Sequence, residues 1–200
     1  MTRRIKVLLA ALLSMGLFVN GAAAQEPRKS PPPSIQGKES SPREIEDKAK
    51  AFAEYVYLKS ELGKFVGEND YEKAVEVCKQ GIRRWPHDAS WHFELGFAYE
   101  MLGRYHEAVA AYREAIRLHP INGETHDSLG RAYFKLGRYG EAAAAYKEFI
   151  RHNPNDSQAH LCLGLIYVCL GNPGAALQEY QILQTLDKEK AKELFNLIYK

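Results

Sequence analysis

The sequence predicts an all-α protein, a solenoid of antiparallel helix pairs with a C-terminal capping helix. The first observation is a repeat, since residues 95–112 (LGFAYEMLGRYHEAVAAY) are nearly the same as residues 129–146 (LGRAYFKLGRYGEAAAAY), 34 positions later. The second is that tyrosine, alanine and proline recur on this period, in the sets Tyr99, Tyr133 and Tyr167; Tyr112, Tyr146 and Tyr180; Ala74, Ala108, Ala142 and Ala176; and Pro86, Pro120 and Pro154. Stacked helix hairpins bury equivalent faces, so equivalent residue types recur wherever the same contact recurs.

The first 24 residues have the three parts of a secretory signal peptide. A basic start at residues 2–6 precedes an apolar run at residues 7–19, and residues 22–24 form a small-residue cleavage site. We expect cleavage after Ala24, because the apolar run ends before the about 20 residues that a spanning helix needs. An uncleaved membrane anchor is the alternative. The sequence therefore predicts an exported protein, periplasmic or extracellular, with no membrane association beyond the signal peptide.

Composition and charge narrow the classes of function. A chain with 46% hydrophobic and 26% charged residues has the composition of a folded globular protein. Loss of residues 1–24 removes three of the 27 basic residues and none of the 25 acidic ones, which leaves 24 against 25 and a net charge of −1. This balance predicts neither nucleic acid nor an anionic membrane surface as a partner.

Three cysteines raise the question of a disulfide in an exported protein. Cys162 and Cys169 are seven residues apart on one predicted helix, hence about 10 Å apart, beyond the roughly 7 Å that a disulfide can bridge. Cys78 is two repeats away. We therefore expect buried, unpaired thiols, with a redox role as the alternative.

The helices begin after a linker. Residues 25–40 (QEPRKSPPPSIQGKES) are rich in proline, serine and lysine and have little to bury, which predicts an extended, disordered linker. The helical repeat domain is predicted at residues 41–190. Ser41, Pro42 and Glu44 have the spacing of a capping box with proline at the first helical position. Apolar residues at helical spacing continue this helix until Gly67.

Four helix pairs are predicted, at residues 55–88, 89–122, 123–156 and 157–190. In the second pair, helices at residues 89–102 and 105–118 flank a turn at Gly103 and Arg104. Gly96 and Ala108 are small enough for the two helices to approach closely, and tyrosines fill the space beside them. The first pair is degenerate, because its Leu-Gly pair is displaced by one residue and Gly81 replaces the alanine of the next unit. Short acceptor side chains before the first helix of the other three pairs are predicted caps, namely Asp88, Asn122 and Asp156.

The C-terminal residues predict the capping helix. Residues 187–200 (DKEKAKELFNLIYK) alternate charged residues with apolar ones. A helix of this kind, polar on its outer side, is what the open end of a solenoid requires.

A 34-residue unit with a Leu-Gly pair, a tyrosine three residues later, an alanine, a further aromatic residue and a terminal proline resembles the tetratricopeptide repeat. The resemblance extends from Tyr55 to about Lys190, and the last unit departs from it in having Lys188 where proline is expected. It implies a right-handed superhelix in which the first helices line a concave groove that binds a peptide or a partner's helix. Carried over to this sequence, the groove contains Phe93, Phe97, Met101, Asp127, Arg131, Phe134, Leu161 and Leu165.

These residues would form two apolar patches on either side of a charged middle. The alternative is that neighbouring helices cover the apolar residues, and that Asp127 and Arg131, four apart on one helix face, neutralise each other. Family members that grip the carboxyl terminus of cytosolic chaperones use lysine and asparagine in this channel. The corresponding helices here carry Phe93 and Phe97 on one and Asp127 and Arg131 on the next, which disfavours that ligand.

Candidate chemistry is sparse. His92, His126 and His160 recur at the repeat period, but metal ligands must converge within about 2.1 Å of one ion, whereas packed helices are about 8–10 Å apart. We expect these histidines to pack between helices, and we expect no metal or other cofactor. Motifs of nucleophilic, metal-dependent and phosphate-binding enzymes are absent from the sequence. The prediction is a non-enzymatic scaffold for a protein or peptide partner from the cell envelope or the secreted proteins. The alternative is a structural homodimer formed through the N-terminal helix at residues 41–66.

Overall fold

The computed structural model describes residues 41–120 and 123–199. The predicted signal peptide at residues 1–24, the linker at residues 25–40 and the Asn122 cap lie outside these residues. None of the described helices combines the length and the apolarity that a membrane span requires.

The described residues form nine α-helices and no strands, which confirms the predicted all-α fold. Consecutive helices pack against each other along the chain, and the last helix also packs on the helix two before it. The helices are α1 (Pro42–Gly67), α2 (Tyr71–Arg84), α3 (Ala89–Met101), α4 (Tyr105–Leu118), α5 (Gly123–Lys135), α6 (Tyr139–His152), α7 (Ser157–Cys169), α8 (Pro173–Leu186) and α9 (Lys188–Ile198).

Helix α1 differs from the others in its length. It begins with the predicted capping box, in which the Glu44 N–H donates to Ser41 Oγ at 3.3 Å and the Ser41 N–H donates to the Glu44 carboxylate at 2.9 Å. Its 26 residues compare with 13 or 14 in each of α2 to α8. Residues 43–50 are exposed, whereas Leu58 and Leu62 belong to the core. Only the second half of α1 is therefore built into the repeat array.

A residue with left-handed backbone follows the first helix of each pair. Gly103, Gly137 and Gly171 have φ angles of 72°, 73° and 68°, a region that glycine enters without steric cost. Asn69 occupies the equivalent position after α1, with φ 58°, and asparagine is one of the few other residues that tolerate it. The predicted turn at Gly103 and Arg104 is confirmed, and the degenerate first pair shares its geometry.

Glycines of the first helices let the tyrosines of the second helices approach closely. A Cβ on Gly96 would lie 2.6 Å from the Tyr112 ring, and a Cβ on Gly130 would lie 2.8 Å from the Tyr146 ring. The last pair departs from this recurrence. A Cβ on Gly164 would instead lie 2.4 Å from Leu194 of α9, while Tyr180 is half-buried and packs 5.3 Å from Phe195, between ring centroids.

Helix α9 covers the end of the array as predicted. Asp187 caps it by accepting from the N–H groups of Glu189 and Lys190, each at 3.1 Å. Ala191 and Leu194 are buried, and the helix packs on both α7 and α8.

The three cysteines are unpaired, as predicted. Cys78 is buried, and burial raises the pKa of its thiol to about 12. Cys162 and Cys169 are half-buried rather than buried, which corrects the expectation for these two thiols.

Candidate functional site

The eight predicted groove residues lie on the first helices α3, α5 and α7, but their exposure differs. Met101 is 45% exposed, and Phe93, Phe97 and Phe134 are half-buried. On α7 the expectation of an open apolar patch is wrong: Leu161 and Leu165 are 1% and 3% exposed. The physical reason is that α9 packs on α7 as the first helix of a further repeat would.

The two phenylalanines of α3 are partly covered by their own neighbours. The Phe93 ring lies 5.8 Å from the Tyr112 ring and the Phe97 ring lies 6.3 Å from the Tyr71 ring, between centroids. Each ring contacts a tyrosine of a second helix, so packing against neighbouring helices covers part of each ring.

Arg131 is the centre of the charged region. Its Nε donates to Glu100 Oε1 at 3.1 Å, one Nη donates to Asp127, and the other Nη donates to Ser128 Oγ at 3.1 Å. Tyr112 completes the network by donating from its hydroxyl to Glu100 Oε2 at 2.7 Å. The expected pairing of Asp127 with Arg131 is present, and the network links α3, α4 and α5.

Two carboxylates thus share one guanidinium in this network. The side chains of Arg131, Asp127 and Glu100 are 27%, 29% and 14% exposed, so solvent screening is reduced. Burial raises the pKa of Asp127, the Arg131 charge opposes this, and the Glu100 charge adds to it. Burial lowers the pKa of Arg131, but the charges of Asp127 and Glu100 outweigh burial and raise it. With both carboxylates ionised, the charges of Glu100, Asp127 and Arg131 sum to −1.

A second polar cluster attaches α1 to α3. The Lys59 ammonium lies 4.0 Å from the centroid of the Trp91 ring and donates to Ser90 Oγ at 3.1 Å. Tyr55 donates from its hydroxyl to Asp88 Oδ2 at 3.0 Å. Burial raises the pKa of Glu94, which the Lys59 charge opposes. This cluster fixes α1 on the array at a point where the repeat pattern is weak.

Two of the three periodic histidines, His126 and His160, lie against the proline that ends the preceding unit. His160 Nε2 lies 3.0 Å from the carbonyl oxygen of Pro154, six residues earlier, and His126 Nε2 lies 3.4 Å from that of Pro120. His160 Nδ1 also lies 2.7 Å from Glu179 Oε2, and both side chains are buried. Within residues 41–120 and 123–199, no three His, Cys, Asp or Glu side chains are placed to hold a metal ion.

The fold defines a helical-repeat protein built from consecutive, mutually packed helices. The family model described as "Tetratricopeptide repeat" matches residues 65–121 and 128–191, more than half of the chain. This protein belongs to the tetratricopeptide repeat family. No curated protein matches the chain.

Solved structures share the fold at low sequence identity. A tetratricopeptide repeat protein from Parabacteroides merdae is 24% identical with a TM-score of 0.68, and the match covers 72% of this chain and 58% of that one. This chain therefore spans only 58% of that protein's length. MamA is 24% identical with a TM-score of 0.63, over 68% of this chain and 79% of that one. The first TPR of Spaghetti (RPAP3), bound to the HSP90 peptide SRMEEVD, is 22% identical with a TM-score of 0.56, over 58% and 92%.

Proposed function

We propose that this protein is a non-enzymatic scaffold that binds a peptide or helix of a partner protein on the first-helix faces of α3 and α5. We call this surface the α3–α5 groove and define it by Phe93, Phe97, Met101, Asp127, Arg131 and Phe134. The observation that supports it best is Met101, a large apolar side chain that is 45% exposed and lies one helical turn after the half-buried Phe97. A flexible thioether adapts to varied apolar partners. The peptide bound to the similar repeat domain of Spaghetti gives further support to a peptide ligand.

Site-specific photo-crosslinking tests the α3–α5 groove. A photoreactive benzoylphenylalanine at Met101 is expected to crosslink a discrete partner in cells that produce the protein. The matched control carries the same group at Glu148, whose side chain is 49% exposed on the second helix α6. Equal crosslinking at the two positions would contradict binding in the groove. So would a crosslink at Met101 that persists after Phe97→Ala.

The proposal includes export to the periplasm or the extracellular space, with a partner from the same compartment. Support comes from the basic, apolar and small-residue segments within residues 1–24. The mature protein is expected to begin at Gln25 when its N-terminus is sequenced, and retention in the cytoplasm would contradict export.

A second candidate function is self-association through α1. Ile45, Phe52 and Val56 are 57%, 48% and 48% exposed, and their spacings of seven and four residues align them on one side of the helix. A monomer seldom leaves such a stripe uncovered. We infer that a second copy of the chain covers it, forming a homodimer.

Light scattering tests this candidate. Phe52→Glu together with Val56→Glu is expected to convert a dimer into a monomer, because two charges would enter the apolar contact. Tyr57→Glu is the matched control, since Tyr57 is 61% exposed but lies off the stripe. A wild-type chain that is monomeric at tens of micromolar, or a dimer that survives the double substitution, would exclude the α1 interface.

A further inference from the structure

The α3–α5 groove has an apolar border and a centre that is short of positive charge. We propose that it selects a cationic segment of its partner, one in which lysine or arginine is interspersed with apolar residues. This inference rests on the proposed function and adds the chemistry of the ligand to it.

The first argument concerns the donors of Arg131. Each of its three nitrogens already donates, to Glu100, Asp127 and Ser128. These bonds use three of its five N–H groups and leave one on each Nη. The two carboxylates beside the guanidinium would nevertheless repel an acidic peptide that approached these remaining N–H groups.

The second argument concerns the excess charge. Glu100 and Asp127 share Arg131, and all three side chains are at most 29% exposed. Charges with little solvent around them interact more strongly than charges in bulk water. A ligand cation beside these carboxylates would balance the network, whereas a ligand anion would add to an existing excess of like charge.

The third argument concerns the apolar border. Phe97 is three residues before Glu100, and Phe134 is three residues after Arg131, so each ring lies about one helical turn from a charged side chain of the network. Lysine and arginine place a charged end group on an aliphatic stem, and the stem packs on apolar surface. Carboxylates about one helical turn from apolar rings suit both parts of such a side chain. Acidic side chains have shorter stems and the wrong charge.

A matched pair of peptides tests the inference. We would measure the binding of SRMEEVD, and of SRMKKVK in which lysine replaces its three acidic residues, to the full chain by fluorescence anisotropy. The basic peptide is expected to bind at least about tenfold more tightly, with an affinity that falls as salt is added. Asp127→Asn and Glu100→Gln should each remove most of this preference, because either change neutralises the network. Glu148→Gln, which removes an exposed carboxylate from α6, should leave it unchanged.

The outcomes separate this inference from the proposed function. Equal or tighter binding of SRMEEVD that is weakened by Phe97→Ala would overturn the cation preference and leave the groove in place. Preference for SRMKKVK that survives both Asp127→Asn and Glu100→Gln would also overturn it. If neither peptide binds, the segment crosslinked at Met101 decides: a basic and apolar segment supports the inference, and an acidic or uncharged one refutes it. Circular dichroism would show that the variants are folded.

Discussion

Substitution of His160 by leucine is expected to lower the free energy of unfolding by about 3–5 kcal/mol, the cost of leaving one member of a buried polar pair without the other. His160 and Glu179 are 4% and 9% exposed, and their Nδ1 and Oε2 atoms are 2.7 Å apart. Leucine would leave the Glu179 carboxyl buried without this partner. It would also remove the contact with the Pro154 carbonyl, which can only accept a hydrogen bond. Urea denaturation followed by circular dichroism measures the loss.

Two further variants show whether the pair is responsible. The double variant His160→Leu with Glu179→Leu should lose less than the sum of the His160→Leu and Glu179→Leu losses, since no buried carboxyl is then left without its imidazole partner. His126→Leu is the matched control, because His126 makes the same proline contact at 3.4 Å. Ala145 occupies the position equivalent to Glu179 one unit earlier. For His126→Leu we expect a loss of about 1 kcal/mol in the free energy of unfolding. A loss as large as that of His160→Leu would refute the role of the pair.

Gly81→Ala is expected to destabilise the protein by about 2–3 kcal/mol, although alanine favours a helix over glycine by about 1 kcal/mol. A Cβ at this position would lie 2.3–2.5 Å from three atoms of the Trp91 ring. The ring is fully buried, stacked on Trp85 with centroids 6.2 Å apart and covered by Lys59. It therefore has no room to move away.

The matched control for this substitution is Gly63→Ala. Gly63 is a helical glycine, and a Cβ added to it would approach no neighbouring atom within 4 Å, so a gain of about 0.5–1 kcal/mol is expected. In a Trp91→Thr background the effect of Gly81→Ala should change sign and become stabilising. Urea denaturation of the wild type, Gly81→Ala, Trp91→Thr and the double variant gives the coupling energy. A Gly81→Ala loss that persists without the tryptophan would contradict the steric explanation.

The same pair explains one of the two departures that made the first unit look degenerate, which is Gly81 in place of the alanine of the next unit. Gly81 and Trp91 are followed one unit later by Ala115 and Thr125, and two units later by Phe149 and Ala159. Along the array, the second-helix residue of the pair becomes larger, from glycine to alanine to phenylalanine. The residue on the following first helix becomes smaller, from tryptophan to threonine to alanine. Periodicity compares each position only with its own equivalents, so compensation between two positions looks like loss of the pattern.

The fold was predictable because a repeated contact requires repeated residues, but the site depends on contacts that do not repeat. Glu100 meets Arg131 across 31 positions, which is off the 34-residue period, so no recurrence indicated it. Leu161 and Leu165 have the same spacing as Phe93 and Phe97 and were expected to be equally open. They are buried because α9 packs on this end of the array. The residue pattern within one unit gives no information about this contact.

The stacking of helices on their neighbours along the chain has a consequence for folding. Because these contacts join segments that are close in sequence, forming them closes only short loops, and topologies of this kind fold in microseconds to milliseconds. Contacts between adjacent units also let terminal hairpins open while central ones stay closed. Amide hydrogens in the middle of the array should accordingly exchange with deuterium later than those towards its margins.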